Sequence, residues 1–362
     1  MTRLRKVLLA FSLLFVFLLT GISNVVPPAH ADYTPFDPAV LGKEIDDFLG
    51  AGATGYLVWQ YSGSRSAPFG NDQYSFFQDV DPGPAICAML KTKAGQYPDK
   101  FVGVNMWDAG LHVGELPSHF SWLKNNCGVK VVRVFAKVGD ASLMAGVLGA
   151  AQGAGIQVII AIGDYSNGGG GVPQGAGIDW YQSGYQGEYK SFAKSILSAT
   201  GGNSALYGYE LANEPHCGGN LAALPAYKAW GQDIGSMLKS GSPRVGYGQM
   251  ASQDATRCDS PRTPEKDFTQ TNSASAISIT SAHYYTADEK ASAMAALAQS
   301  KAIENLFILV KLVSLEDYRE EQVPLPRCIF FPELMIKKHR HLKSKWQQTI
   351  RSLAGHNSHS DR

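Results

Sequence analysis

The chain has 362 residues, 44% of them hydrophobic and 17% charged, with 38 glycines. That apolar share supports a large core and excludes a disordered or coiled-coil protein, and it suits a loop-rich extracellular one. Residues 32–310 carry 19 basic and 25 acidic side chains, and no basic stripe of the kind that would suit nucleic acid is present.

The first segment reads as a secretory signal. Arg3, Arg5 and Lys6 precede an apolar run from Val7 to Leu19, and Ala29-His30-Ala31 forms a small-residue cleavage site before Asp32. The run is short for a membrane-spanning helix. The mature protein is therefore expected outside the cell, with residues 1–31 removed.

A helix is then predicted over Pro38–Leu49, a strand over Gly55–Tyr61 and a further helix over Pro84–Ala94. From Phe101 onward strands alternate with helices. Phe101–Met106, Val129–Ala136, Ile156–Ile162, Leu206–Ala212, Arg244–Gln249, Ala276–His283 and Leu306–Val310 read as strands. Pro117–Asn126, Asp140–Ala154, Glu188–Ala199, Leu221–Leu238 and Ala287–Ser300 read as helices. Such alternation implies a parallel sheet. Seven strands fall one short of an eightfold (β/α) barrel, and the strand at 55–61 can supply the eighth.

The cysteines are Cys87, Cys127, Cys217, Cys258 and Cys328, with no Cys-x-x-Cys spacing to suggest zinc. Cys217 and Cys258 both follow predicted strands and are expected to bridge above the barrel, buried free thiols being the alternative. His112, Glu115 and His119 are spaced closely enough to raise a metal site, but they read more simply as loop residues beside a cleft. The Gly168–Gly171 run lacks the Gly-Lys-Ser/Thr of a phosphate loop. Asp164, Trp180 and Trp230 are candidates to touch a ligand.

The apolar run from Leu206 breaks off at Asn213-Glu214-Pro215. Proline lacks an N–H and stops the strand ladder, so Asn213 and Glu214 are expected to stand at the strand's C-terminal end, where barrel active sites form. The string Tyr209-Glu210-Leu211-Ala212-Asn213-Glu214-Pro215-His216-Cys217 resembles the fourth-strand motif of clan-A glycoside hydrolases, above all family-five β-mannanases and cellulases. The resemblance, which covers roughly residues 36–310, implies that Glu214 is the acid/base of a retaining endo-β-glycanase and that Asn213 binds a sugar hydroxyl. It implies that Arg133, in the second strand, contacts the nucleophile. It maps His283 and Tyr285 onto the histidine and tyrosine that end the sixth strand. Trp59 resembles the eighth-strand tryptophan on which a sugar stacks. Because Trp59 comes first in the chain, the barrel resembles a circularly permuted member of the family, entered after the seventh strand; a partial duplication is the rival account. No metal or organic cofactor is implied, and the expected partner is a polysaccharide or oligosaccharide, mannan or glucan, bound by a monomer.

The pattern departs from the family at the seventh strand. Retention needs a second carboxyl about 5–5.5 Å from the first, and the family ends this strand in a Gly-Glu-x-Gly pattern. Here it reads Leu306 to Val313 with Lys311 near the required place. Residues 311–362 contain a single glycine, ten basic and six acidic residues, and no clear barrel element. Val-Lys-Leu-Val can be written so that a shifted frame reads Gly-Glu-Ala-Gly, which suggests a frameshift after about residue 300. Glu316 is the nearest in-frame substitute, and the basic stretch Lys337–Trp346 could mimic a partner-binding helix. Two alternatives follow: a carbohydrate-binding pseudoenzyme that lacks the nucleophile, or a scaffold that binds no glycan.

Overall fold

The protein is described by a computed structural model, which covers residues 37–65, 67–68, 75–163, 171–173, 176–215, 223–250, 271–284 and 287–311. Its strands are β1 (Gly55–Val58), β2 (Phe101–Met106), β3 (Val131–Ala136), β4 (Gln157–Ile162), β5 (Leu206–Glu210), β6 (Val245–Gly246, resuming at Gln249–Met250), β7 (Ile279–Tyr284) and β8 (Leu306–Lys311). β2, β3, β4 and β8 are mostly apolar and rich in Val and Ile, and nearly every strand residue is buried. Such runs suit a parallel sheet covered on both faces.

All eight pair in parallel with their chain neighbours, and β8 returns to β1 through Gly55↔Ile308 to Val58↔Lys311. The result is a closed eight-stranded β/α barrel, as expected, and β1 fills the eighth place between β8 and β2. β6 is less continuous than its sequence suggests. Tyr247 and Gly248 interrupt it, and Gly248 adopts φ +75°, a conformation that glycine enters without penalty.

The helices α1 (Pro38–Gly50), α2 (Gly83–Gln96), α3 (Leu116–Cys127), α4 (Ala141–Ala154), α5 (Ile178–Gln182), α6 (Glu188–Thr200), α7 (Leu224–Leu238) and α8 (Ala287–Ala302) surround the barrel. The ends follow local rules. Asp37 caps α1 by accepting the Ala39 N–H at 2.8 Å, and Gly128, at φ 67°, closes α3 in the left-handed conformation. Neither α5 nor the two-residue hairpin arms Gly63–Ser64 and Ala67–Pro68 were anticipated, being too short to show a period. Among the described residues no helix is long and apolar enough to cross a membrane.

Side-chain alternation divides the apolar core in two. Leu57, Phe101, Val131, Ile159, Tyr207, Ile279, Ile308 and Val310 fill the barrel. Tyr56, Val102, Val132, Ile160, Tyr209, Tyr284 and Leu309 face the helices. At the seam that closes the barrel, the Tyr56 and Tyr284 hydroxyls lie 3.1 Å apart, and both donate to Glu44 of α1, at 3.2 and 2.9 Å.

A disulfide joins Cys87 of α2 to Cys127 of α3. The bridge expected between Cys217 and Cys258 falls outside the described residues, as do Cys328, the signal-like segment and everything after Lys311.

Candidate active site

The same alternation that packs the barrel floor sends Asn105, Arg133 and His283 inward near the C-terminal ends of β2, β3 and β7, and in β5 a register shift beside Ile159 brings Glu210 to meet Arg133 there. Beyond β5 the chain turns, and Asn213 and Glu214 follow, both buried. Glu214 has φ 49°, unusual for a residue with a side chain. Its N–H donates to the Gly248 carbonyl at 2.8 Å, so the backbone ties it to the gap in β6.

The Gly248 position is crowded. A Cβ there would lie 2.1 Å from the Ala212 carbonyl oxygen and 3.0 Å from Glu210 Oε2. Adding left-handed strain to that overlap, Gly248→Ala is expected to cost about 2–4 kcal/mol, readable as a lower urea midpoint.

Arg133 is the hub. Its Nε donates to Glu210 Oε2 at 2.6 Å, and Nη2 lies equally close to the same oxygen. Nη1 donates to Asn105 Oδ1 at 3.2 Å and Nη2 to Asn213 Oδ1 at 2.9 Å. The guanidinium sits 4.6 Å from the Phe135 ring centroid. Arg133 and Glu210 are both 0% exposed. A charge is tolerated at such a depth only when paired and hydrogen-bonded.

His283 Nδ1 stands 3.2 Å from Glu214 Oε1. Burial, with the nearby Arg133 charge, holds its pKa below the ordinary 6.5, although Glu214 and Glu210 pull the other way. The imidazole is thereby kept neutral. A neutral ring can donate its Nδ1–H to an ionised Glu214 or accept a proton from the carboxylic acid, so it accommodates either state of that carboxyl.

The unfolded chain binds this proton at a pH where the folded one does not. Stability is therefore expected to fall as the pH drops below about 6.5, by up to about 1.4 kcal/mol per pH unit for one group. Urea titrations across that range should show a shallower acid limb in His283→Gln. Some slope will persist, because burial shifts His119 in the same direction.

Of the residues expected at the site, Arg133, Asn213, Glu214 and His283 converge. Tyr285 falls outside the described residues. Trp59 is 4% exposed and meets Trp107 and Phe135 edge-on at 5.7 and 5.9 Å, forming an aromatic wall in which the half-buried Trp107 is the more open ring. Three readings are corrected. Trp230 is fully buried, with Trp180, Tyr181, Tyr189, Tyr227 and Tyr247 packed around it, and cannot reach a ligand. Trp180 belongs to that same helix-layer cluster. Lys311 does not occupy the inward place on β8 either. It pairs in register with Tyr284 and lies 4.4 Å from that ring, on the helix side, whereas Val310 faces the interior.

His119 is hydrogen-bonded to Tyr61 at 2.8 Å, and His112 lies 3.5 Å from Glu115. No cluster of metal-binding side chains forms among the described residues. Sequence reading missed Glu210 and Trp107. Glu210 had a partial signal: a lone carboxylate closing an apolar strand needs a buried cation, but it stands three residues past the inward Tyr207, and only the register shift beside Ile159 brings both to the interior.

No protein-family model and no curated protein matches the chain. Solved structures resemble it weakly. An endo-1,4-β-D-mannanase from Thermotoga petrophila RKU-1, with maltose and glycerol, is 13% identical over 59% of this chain and 88% of its own, with a TM-score of 0.41. A β-mannanase from the blue mussel Mytilus edulis is 12% identical over 57% of this chain and 81% of its own, at 0.33. A carboxyl transferase domain of Rhizobium etli pyruvate carboxylase is 10% identical over 77% of this chain and 37% of its own, at 0.35. At TM-scores of 0.41 and lower, likeness decides nothing about activity.

Proposed function

We propose that the barrel is a secreted glycoside hydrolase of the retaining β-glycanase type, acting on a β-linked polysaccharide of the mannan or cellulose kind, with Glu214 as its acid/base. The observation that carries this reading is the placement of Glu214: buried past the C-terminal end of β5 and held 3.2 Å from His283. There Glu214 can protonate a glycosidic oxygen and then activate water. Asn213 and Arg133 would hold the glycone, Tyr285 would join them, and Trp59 with Trp107 would line the cleft. Export agrees with the signal-like first segment and with the Cys87–Cys127 bridge, since disulfides persist in oxidising compartments.

A second reading, a carbohydrate-binding protein without turnover, is favoured by β8. Its inward side chain is Val310, so the described part of the strand offers no nucleophile. The frameshift explains that defect, and sequencing the coding DNA across codons 295–362 tests it directly.

The functional test uses the full chain. Release of reducing ends from mannan or carboxymethyl cellulose, abolished by Glu214→Gln, supports the hydrolase. Binding of mannotriose or cellotriose without release supports the second reading. Failure to bind or cleave any of the four sinks both, leaving the barrel as a scaffold.

A further inference from the structure

We propose that Glu210 is a positioning residue of this site: it fixes the Arg133 guanidinium so that Asn213 turns its amide nitrogen, not its oxygen, toward the ligand. The inference deepens the glycan reading and rests on it for the ligand's chemistry, but its structural core stands apart from it.

Guanidinium carries only donors. Each asparagine that meets Arg133 must therefore offer its carbonyl oxygen, and both Asn105 and Asn213 do so. Asn105 illustrates the consequence, for its Nδ2 is turned the other way and donates to the Val58 carbonyl at 3.3 Å. The same constraint directs the Asn213 amide N–H groups away from Arg133. What holds the guanidinium in that plane is Glu210, whose Oε2 takes both Nε and Nη2 at 2.6 Å.

Two further features single Glu210 out. It reaches Arg133 across β4, so it pins a side chain that lies two strands away. Its other oxygen, Oε1, is buried and has no hydrogen-bond partner among the described residues. A carboxylate serving only to neutralise Arg133 would be expected to use both oxygens in a fork. Here one oxygen takes two N–H groups, which leaves Nη2 still aimed at Asn213. Loss of the Glu210 charge frees Arg133 to turn toward the remaining buried carboxylate, Glu214, and to release Asn213.

The test combines ligand titration with crystallography on the full chain and its Glu210→Gln and Glu210→Asp variants. The expected result is at least tenfold weaker mannotriose or cellotriose binding in Glu210→Gln, partial recovery in Glu210→Asp, and loss of the Arg133–Asn213 hydrogen bond in the Glu210→Gln crystal. An unchanged Arg133–Asn213 contact in that crystal overturns the proposal, whatever binds. If the unaltered chain binds neither trisaccharide, the glycan reading fails and the crystal contact alone decides the positioning role. If Glu210→Gln does not fold, the double variant Arg133→Met with Glu210→Gln removes the stranded charge. Trisaccharide affinity in that variant equal to the unaltered chain's, or weaker than in Arg133→Met alone, would also overturn the proposal, and a loss matched by Arg133→Met alone would support it, since Glu210 then acts only through Arg133.

Discussion

Replacing Arg133 with methionine is expected to lower the unfolding free energy by about 3–5 kcal/mol. Methionine keeps much of the aliphatic stem, so little volume is lost. What disappears is the only cation within hydrogen-bond reach of Glu210 among the described residues, together with the donors to Asn105 and Asn213. Glu210 is 0% exposed and its Oε1 has no partner among the described residues. Water cannot take over without opening the barrel. Deleting one partner of a buried ion pair costs far more than the pair contributes in net terms, because the survivor keeps its desolvation penalty. Urea unfolding should show a lower midpoint with an unchanged slope. A loss below about 1 kcal/mol would mean that water or a proton reaches Glu210, and that the interior is wetter than its packing implies.

The second large effect concerns the Cys87–Cys127 bridge, which closes a loop of sequence separation 40 between α2 and α3. In the chain-entropy account, cross-linking a loop of that length removes about 4 kcal/mol of freedom from the unfolded state. Converting both cysteines to alanine should lower stability by about that amount, and reduction of the unaltered protein should do the same. Cys87 and Cys127 are both buried. The alanine pair therefore also loses some packing, and comparing the two treatments separates it from the cross-link. If reduction leaves the midpoint unmoved, the thiols are not bridged in solution.

Much of the barrel is legible because a parallel strand buried on both faces is an uninterrupted apolar run, and such runs do not depend on distant context. Phe101–Met106 is found with the bounds its sequence predicts. The strand predicted over Arg244–Gln249 is the exception. Gly248, at φ +75°, lets the chain leave the sheet and return, and apolar content alone cannot show that. The strand predicted over Gly55–Tyr61 stops at Val58, since Tyr61 is engaged by Gln78 and His119 instead.

At the site, Glu214 and Asn213 are marked by a proline that ends their strand, a local signal. Arg133 and His283 are polar interruptions of apolar strands, which phase alone turns inward. Glu210 was passed over because its role lies in a contact with Arg133, 77 residues away. The Cys87–Cys127 bridge was not anticipated for the same reason. Cysteine pairing is a property of the folded helices rather than of spacing, and Cys87 and Cys127 meet because α2 and α3 are neighbours in the helical ring.

The β1–β8 pairing has a consequence for how the protein is made. Gly55 finds its partner Ile308 only when nearly all the described chain exists. At synthesis rates of about 5–20 residues per second, the first strand waits on the order of 10–50 s for the last. Until then β1 and the newest strand each present a row of unpaired backbone groups, a template for pairing with another chain. Contacts this remote in sequence also slow the final step of folding. A ribosome stalled or a message cut short before codon 306 would thus yield an open sheet with two sticky borders, prone to self-association, and the cell would meet it as an aggregate.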